Sequence, residues 1–202
     1  VKIYASSGSP EPIGTGLFTR MFMQRFPLIP VEEEERLNDP LVRDMFVERV
    51  FCLRRWRDHL AEGKDVGRLV TFHTAHKMLL LTHSRTHYDA MGRLIAHARE
   101  MPLEILYDRY QSEFMITLGC KPTVKRVSDV LLHMQGHLKK VLTSDEKQEM
   151  LSLIQRYGQG LVPRVVPMTL LAHHVHKHGI TYLAHQVFLN PEPMELMLRN
   201  HV

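Results

Sequence analysis

The sequence predicts an all-α fold, an irregular bundle of seven to eight helices. Three observations carry this expectation. From Asn38 onward, apolar residues recur at the i, i+3, i+4 spacing of one helix face. Start and stop signals bracket the periodic stretches, among them Asn38-Asp39-Pro40, Thr143-Ser144-Asp145-Glu146 and the glycines Gly158, Gly160 and Gly179. After residue 40 no strand-like alternation competes with the helical period, and no internal repeat points to a solenoid.

The first 37 residues read differently. Val1 to Ala5 has the character of a strand, and the chain starts inside it at Val1, which suggests a piece of a longer protein. Residues 6–16, SSGSPEPIGTG, are a loop. Phe18, Phe22 and Phe26 then share one face of a short helix, closed by Pro27 and Pro30. Glu32 to Glu35 is read as a solvated acidic run.

The helical body follows. A Pro in the first turn after Asn38-Asp39 opens a helix that turns Val42, Phe46, Val50, Leu53 and Trp56 inward and reaches about Leu60. A second helix spans about Val66 to Leu81, with Leu69, Phe72, His76 and Leu80 on one face. Ser84 caps a third, with Tyr88, Met91, Leu94 or Ile95, and Ala98 inward. Pro102 opens a fourth, built on Leu103, Leu106, Tyr110 and Phe114. Pro122-Thr123 opens a fifth, with Val127, Val130, Leu131, Met134 and Leu138 inward. The T-x-x-E capping box at Thr143 starts a sixth, stopped by Gly158 and Gly160. Pro167 opens a seventh that reaches about His178, and an eighth runs from Ile180 to Leu189.

Composition narrows the function classes. The chain has 202 residues, of which 44% are hydrophobic and 24% charged, a balance that excludes a disordered tract or a coiled coil. No apolar run approaches the roughly 20 residues of a bilayer-spanning helix, and no signal-peptide pattern is present. No membrane partner is therefore expected. The two cysteines, Cys52 and Cys120, are too few for a disulfide framework or a zinc site, so a cytoplasmic setting is expected. The net charge of +4 is uneven: residues 1–40 carry 4 Lys+Arg against 6 Asp+Glu, and the rest carry the surplus. A basic body suggests an anionic partner such as nucleic acid, the plainer alternative being an ordinary basic surface.

Fourteen histidines are the first candidates for chemistry. His73 and His76 lie three apart, His133 and His137 four apart, and His173, His174, His176 and His178 crowd the seventh helix. Such pairs can bind metal when another helix adds ligands, but no H-E-x-x-H is present. No G-x-S-x-G, phosphate loop or G-x-G-x-x-G occurs either. Basic groups form a second lead: Arg54, Arg55 and Arg57; Lys121, Lys125 and Arg126; Lys139 and Lys140; Lys77; and Arg164. Lysine and arginine neutralise phosphates, and histidines add donors.

The run Phe72-His73-Thr74-Ala75-His76-Lys77-Met78-Leu79-Leu80-Leu81-Thr82-His83-Ser84 resembles a signature of the YbgA-like family. Val130 to Lys140 resembles its second signature. Tyr157 to Gly160, Pro163, Val166 to Leu171 and His173-His174 are similar to its third. Tyr182-Leu183, Gln186, Leu189-Asn190-Pro191 and Leu198-Arg199-Asn200 complete the match, which spans residues 66–200. Val1 to Tyr4, Gly14-Thr15-Gly16 and Pro30 to Asp39 resemble the junction of a two-module protein, although Glu35 stands where that linker usually has Gly. In such fusions an iron–sulfur desulfidase module of the 2-thiouracil type precedes the YbgA-like module, as in tRNA 4-thiouridine desulfidases.

The resemblance implies a [4Fe–4S] cluster on three cysteines upstream, and a helical module that helps bind tRNA. The cluster-binding motifs are absent here, so no cofactor and no catalysis are expected of this chain itself. Residues 1–37 are then a remnant of the upstream α/β module, and residues 38–202 form the helical module. The residues expected to contact RNA are His73, His76, Lys77, His133, Lys139, Lys140, Arg164, His173 and His174. The lysines and Arg164 would meet phosphates, and the histidines would donate hydrogen bonds or stack on bases. Tyr157 and Tyr182 are further stacking candidates. Two other readings stand beside this one: a metal or acid–base enzyme built on the His73/His76 and His133/His137 pairs, and a purely structural partner module.

Overall fold

The computed structural model describes residues 16–190 together with the backbone of Ile3–Tyr4 and Pro10–Glu11. Within the expected strand, Ile3–Tyr4 (β1) pairs antiparallel with Pro10–Glu11 (β2), Ile3 opposite Glu11 and Tyr4 opposite Pro10. The other residues of that stretch and the end from Pro191 onward lie outside the described residues.

Leu17–Arg25 (α1) is the short helix that the three phenylalanines predict. Its apolar residues do not enter a core. Leu17, Phe18, Met21, Met23 and Phe26 are exposed, and the rings pack mainly on one another, Phe22 lying 6.4 Å from Phe18 and 5.1 Å from Phe26. In the acidic run, Glu33, Glu34 and Glu35 are exposed, as expected, at a 3₁₀ turn of Glu34–Asn38.

Eight α-helices follow among the described residues: Pro40–Ala61 (α2), Val66–His83 (α3), Arg85–Ala96 (α4), Leu103–Gly119 (α5), Val124–Leu138 (α6), Ser144–Gly158 (α7), Val165–Lys177 (α8) and Thr181–Ala184 (α9). Local chemistry sets most starts. The side chains of Asp39, Asp65, Ser84, Thr123 and Thr143 each accept a backbone N–H of the first turn they open. Thr143 and Glu146 complete the capping box, Thr143 N–H donating to Glu146 Oε2 at 2.8 Å. Gly63 and Gly160 end helices at φ +101° and +74°, a backbone region that favours glycine.

Four expectations need correction. Val50 is exposed, because the inward arc of α2 is Glu48, Cys52, Leu53 and Trp56. The third predicted helix stops at Ala96, and Ala98 lies in a separate 3₁₀ turn. α8 starts two residues before Pro167, which is tolerated there because the first turn has no intrahelical use for its missing N–H. The expected eighth helix is broken into α9 and a 3₁₀ turn, Val187–Leu189, with Gln186 extended between them.

α3 is the central element. It packs against α4, α5, α6 and the last 3₁₀ turn, while α6, α7 and α8 pack on one another. The centre of the first half is Trp56, fully buried among Phe72, Tyr107, Tyr110 and Phe114, with ring centroids 5.2–6.2 Å away. Edge-on and offset contacts of this kind add to the burial itself. Gln186 ties the C-terminal turn to α3: its Nε2 donates to the Thr74 carbonyl at 2.9 Å, and its Oε1 accepts from Met78 N–H at 3.2 Å. Thr74 and Met78 are i and i+4, so one side-chain amide satisfies both ends of a single rung of the α3 ladder.

Candidate functional site

Helices α3, α4, α6 and α9 bring basic and aromatic side chains to one face. His73 and Lys77 come from α3, Arg85 and Tyr88 from α4, His133 and His137 from α6, and Tyr182 from α9. His73 stacks on Tyr88 with ring centroids 5.0 Å apart and planes 11° from parallel. Its Nδ1 lies 3.1 Å from the Tyr110 hydroxyl. Burial, then the charge of Lys77, pushes the His73 pKa down to about 4. His133 and His137 meet edge to face at 5.1 Å, and His137 lies 5.3 Å from Tyr182. Partial burial, then the charges of His137, Lys77 and Arg85, lowers His133. Burial, then the neighbouring Tyr182, raises Tyr88. Charge effects thus link His133 to Lys77 and Arg85, and Tyr88 to Tyr182. Arg85, His133 and His137 are exposed, and Lys77, Tyr88 and Tyr182 half-buried. Lys139 and Lys140, just past the end of α6, are also exposed.

The other expected site residues lie elsewhere. His76 is buried, stacked on Phe72 at 4.0 Å, and its Nδ1–H donates to the Phe72 carbonyl at 2.8 Å. Burial drives its pKa down to about 3. As placed, it cannot reach an RNA base. Arg164 points inward, its Nη1 4.0 Å from Glu48 Oε2. His173 is exposed, whereas its neighbour His174 is buried. The His73/His76 and His133/His137 pairs do not merge into a ligand set: among the described residues, the one group of three or more metal-ligating side chains with atoms within 4.8 Å is Glu146, His174 and His178. Tyr157 is half-buried against the core. Of the arginine run, Arg54 pairs with Asp58 at 2.9 Å and Arg55 donates to the Asn190 carbonyl at 2.9 Å. Arg126 donates to the carbonyls of His83 and Lys121, joining the start of α6 to the end of α3.

A buried ionic cluster escaped the sequence reading. His83 and Glu48 are both buried, with His83 Nε2 2.6 Å from Glu48 Oε1 and His83 Nδ1 2.6 Å from the Cys120 carbonyl. Desolvation pushes Glu48 up, but His83, Arg164 and Arg55 outweigh it and hold the carboxyl below its ordinary value. Glu48 and the Cys120 carbonyl each engage one ring nitrogen of His83, so the ring bridges α2 to the end of α5. His83 belongs to the run quoted above, but a lone histidine does not announce a partner 35 residues away. The Cys52 thiol beside it is pushed up by burial and unreactive. A groove between α6 and α7, lined by Ser128, Leu132, Gln148, Leu151 and Gln155, has no acidic or basic side chain and offers no acid–base chemistry. Among the described residues no helix is long and apolar enough to cross a membrane.

Comparison with known proteins gives two matches. Residues 77–193 match the model of a family described as "Protein of unknown function (DUF1722)". The chain is 25% identical over 158 residues to the "Uncharacterized protein YbgA" of Escherichia coli (strain K12), a span of 78% of this chain and 94% of that protein. No solved structure matches.

Proposed function

This chain belongs to the DUF1722 family, and from that premise we propose that its helical body, residues 38–202, is an accessory RNA-binding module with tRNA as its ligand. The observation that supports this reading is the convergence of Lys77, Arg85, His133 and His137 with the half-buried rings of Tyr88 and Tyr182. Cations beside accessible ring faces suit single-stranded RNA, whose phosphates need charge and whose splayed bases need a stacking partner. Lys77, Arg85, Lys139 and Lys140 serve the phosphates. Tyr182 and His137 offer a stacking surface, and His133 and His173 donate hydrogen bonds. His73 orients Tyr88 through their stack. His76, Arg164 and His174 support the fold from within.

In the same reading the module works beside an upstream desulfidase module that carries the [4Fe–4S] cluster. This chain does not fit such a cluster: it has two cysteines, and Cys52 is fully buried. No desulfuration step is assigned to its own residues. The exposed apolar side chains of α1 are consistent with a surface that the upstream module covers.

The test is tRNA binding by gel shift at about 50 and 200 mM salt. Binding is expected to weaken with salt at a log–log slope of roughly −0.7 to −0.9 per phosphate contacted. Lys77→Glu/Arg85→Glu should reduce that slope by about two contacts. Absence of binding at the lower salt, or a slope unmoved by the double variant, refutes the reading.

A further inference from the structure

The pair His174 and His178 lies one helical turn apart at the end of α8, so both rings share a face. That face meets the first turn of α7, where Glu146 stands. His174 Nδ1 is 4.0 Å from Glu146 Oε1, and one ligand atom from each of the three residues lies within 4.8 Å of the others. His174 is only 3% exposed, yet neither of its ring nitrogens has a hydrogen-bond partner, and His178 Nε2 is buried and unpartnered as well. Buried imidazole nitrogens without partners are costly and rare. A neutral imidazole always presents one lone pair, and a carboxylate alongside supplies charge.

We propose that Glu146, His174 and His178 form a binding site for a divalent transition metal ion of the zinc class, with the remaining coordination position open. Two nitrogens and one carboxylate are a donor set that such an ion accepts. Around bonds of about 2.0–2.1 Å, tetrahedral ligand atoms lie roughly 3.4 Å apart, so the three groups close by about 1 Å on loading. Both Glu146 and His178 are partly exposed and can make that adjustment. The carboxylate already attracts a cation: Lys177 Nζ donates to Oε1 at 2.8 Å. That ammonium is half exposed and can swing into water when the ion arrives. Thr143 N–H stays on Oε2 and fixes the carboxylate from the outer shell. The site draws on α7 and α8, whereas the residues proposed to face RNA lie mainly on α3, α4, α6 and α9, with His173 alone on α8.

The experiment uses the full chain without an affinity tag, stripped with chelator and titrated with Zn²⁺ against a chromophoric competitor. Co²⁺ absorption serves as the second readout. One ion per chain is expected, with ligand-field bands of a low-coordinate nitrogen/oxygen site. Glu146→Gln and His178→Ala should each weaken binding by at least about 100-fold, the upper end of what loss of a mere outer-shell partner costs. Glu146→Gln keeps an oxygen for Thr143 N–H, and His178 lies outside the core, so both variants retain the fold even where His174→Ala does not. His173→Ala and His176→Ala should leave binding unchanged. No stoichiometric uptake of either ion, or uptake indifferent to Glu146→Gln and His178→Ala, overturns the proposal.

Discussion

Replacing Glu48 by leucine removes the carboxylate that faces the buried His83 ring. The His83 ring then keeps the Cys120 carbonyl but loses its buried partner, with Arg164 and Arg55 still nearby. Breaking one side of a buried pair costs about 3–5 kcal/mol. For a chain of this size each kcal/mol moves the melting temperature by about 2–4 °C, so a fall of roughly 6–20 °C is expected. His83→Leu should cost a similar amount by stranding the carboxylate. The double variant Glu48→Leu/His83→Leu replaces both polar partners with apolar groups of comparable size, which often restores most of the loss. The Cys120 carbonyl still lacks its donor, so the double variant should remain about 1–3 kcal/mol below the native chain. Urea unfolding of the four proteins at neutral pH gives the cycle, with constant m-values as the control. The double variant should lose less than the summed singles by at least about 2 kcal/mol. Additive losses, or a cost under about 1 kcal/mol for Glu48→Leu, would refute the coupled pair. The pH dependence has a definite sign. Because the folded chain holds Glu48 below its ordinary value of 4.5, its contribution is complete above that pH and is lost as pH falls through the folded value. Glu48→Leu should flatten that part of the acid limb.

Two further outcomes follow from the core. Folding holds His73 and His76 down to about 4 and about 3, against an ordinary value of 6.5. The unfolded chain therefore takes up protons below pH 6.5 that the folded chain refuses, and stability drops as pH falls from there. His76 contributes a slope of about 1.4 kcal/mol per pH unit, which His76→Phe should abolish; equal slopes for variant and native chain between about pH 5 and 6.5 would contradict the neutral ring. Gln186→Leu removes the amide that bridges Thr74 and Met78, at an expected cost of about 1–3 kcal/mol. Hydrogen exchange at the Met78 amide should quicken relative to its α3 neighbours, and an unchanged rate would show that the bridge contributes nothing.

The sequence by itself determined the all-α class and the position of nearly every helix. The reason is locality. Asp39, Asp65, Ser84, Thr123 and Thr143 bond backbone groups two or three residues away, so their effect is visible in a short window. Apolar periodicity likewise found most of the core, from Trp56 and Phe72 to Leu106 and Met134. It failed where a partner on another helix decides the outcome. On α2 it picked Val50 for the interior, but Glu48 is buried instead, because His83 supplies the proton donor that makes a carboxylate tolerable there. At the last predicted helix it missed the break at Gln186, whose amide is held by backbone groups more than 100 residues earlier.

The candidate sites divide the same way. Histidine and lysine positions were readable, and the repeated i, i+4 spacing placed pairs on common faces. Which pairs turn outward was not readable. Tertiary structure sent His76 into the aromatic core and Arg164 toward Glu48, and it gathered Lys77, Arg85, His133 and Tyr182 from four helices. It also set Glu146 opposite His174 and His178, giving an expected cap residue a second setting. Periodicity fixes the direction of a side chain around its own axis, but burial and charge depend on what another helix places opposite. That information exists only once the helices are packed.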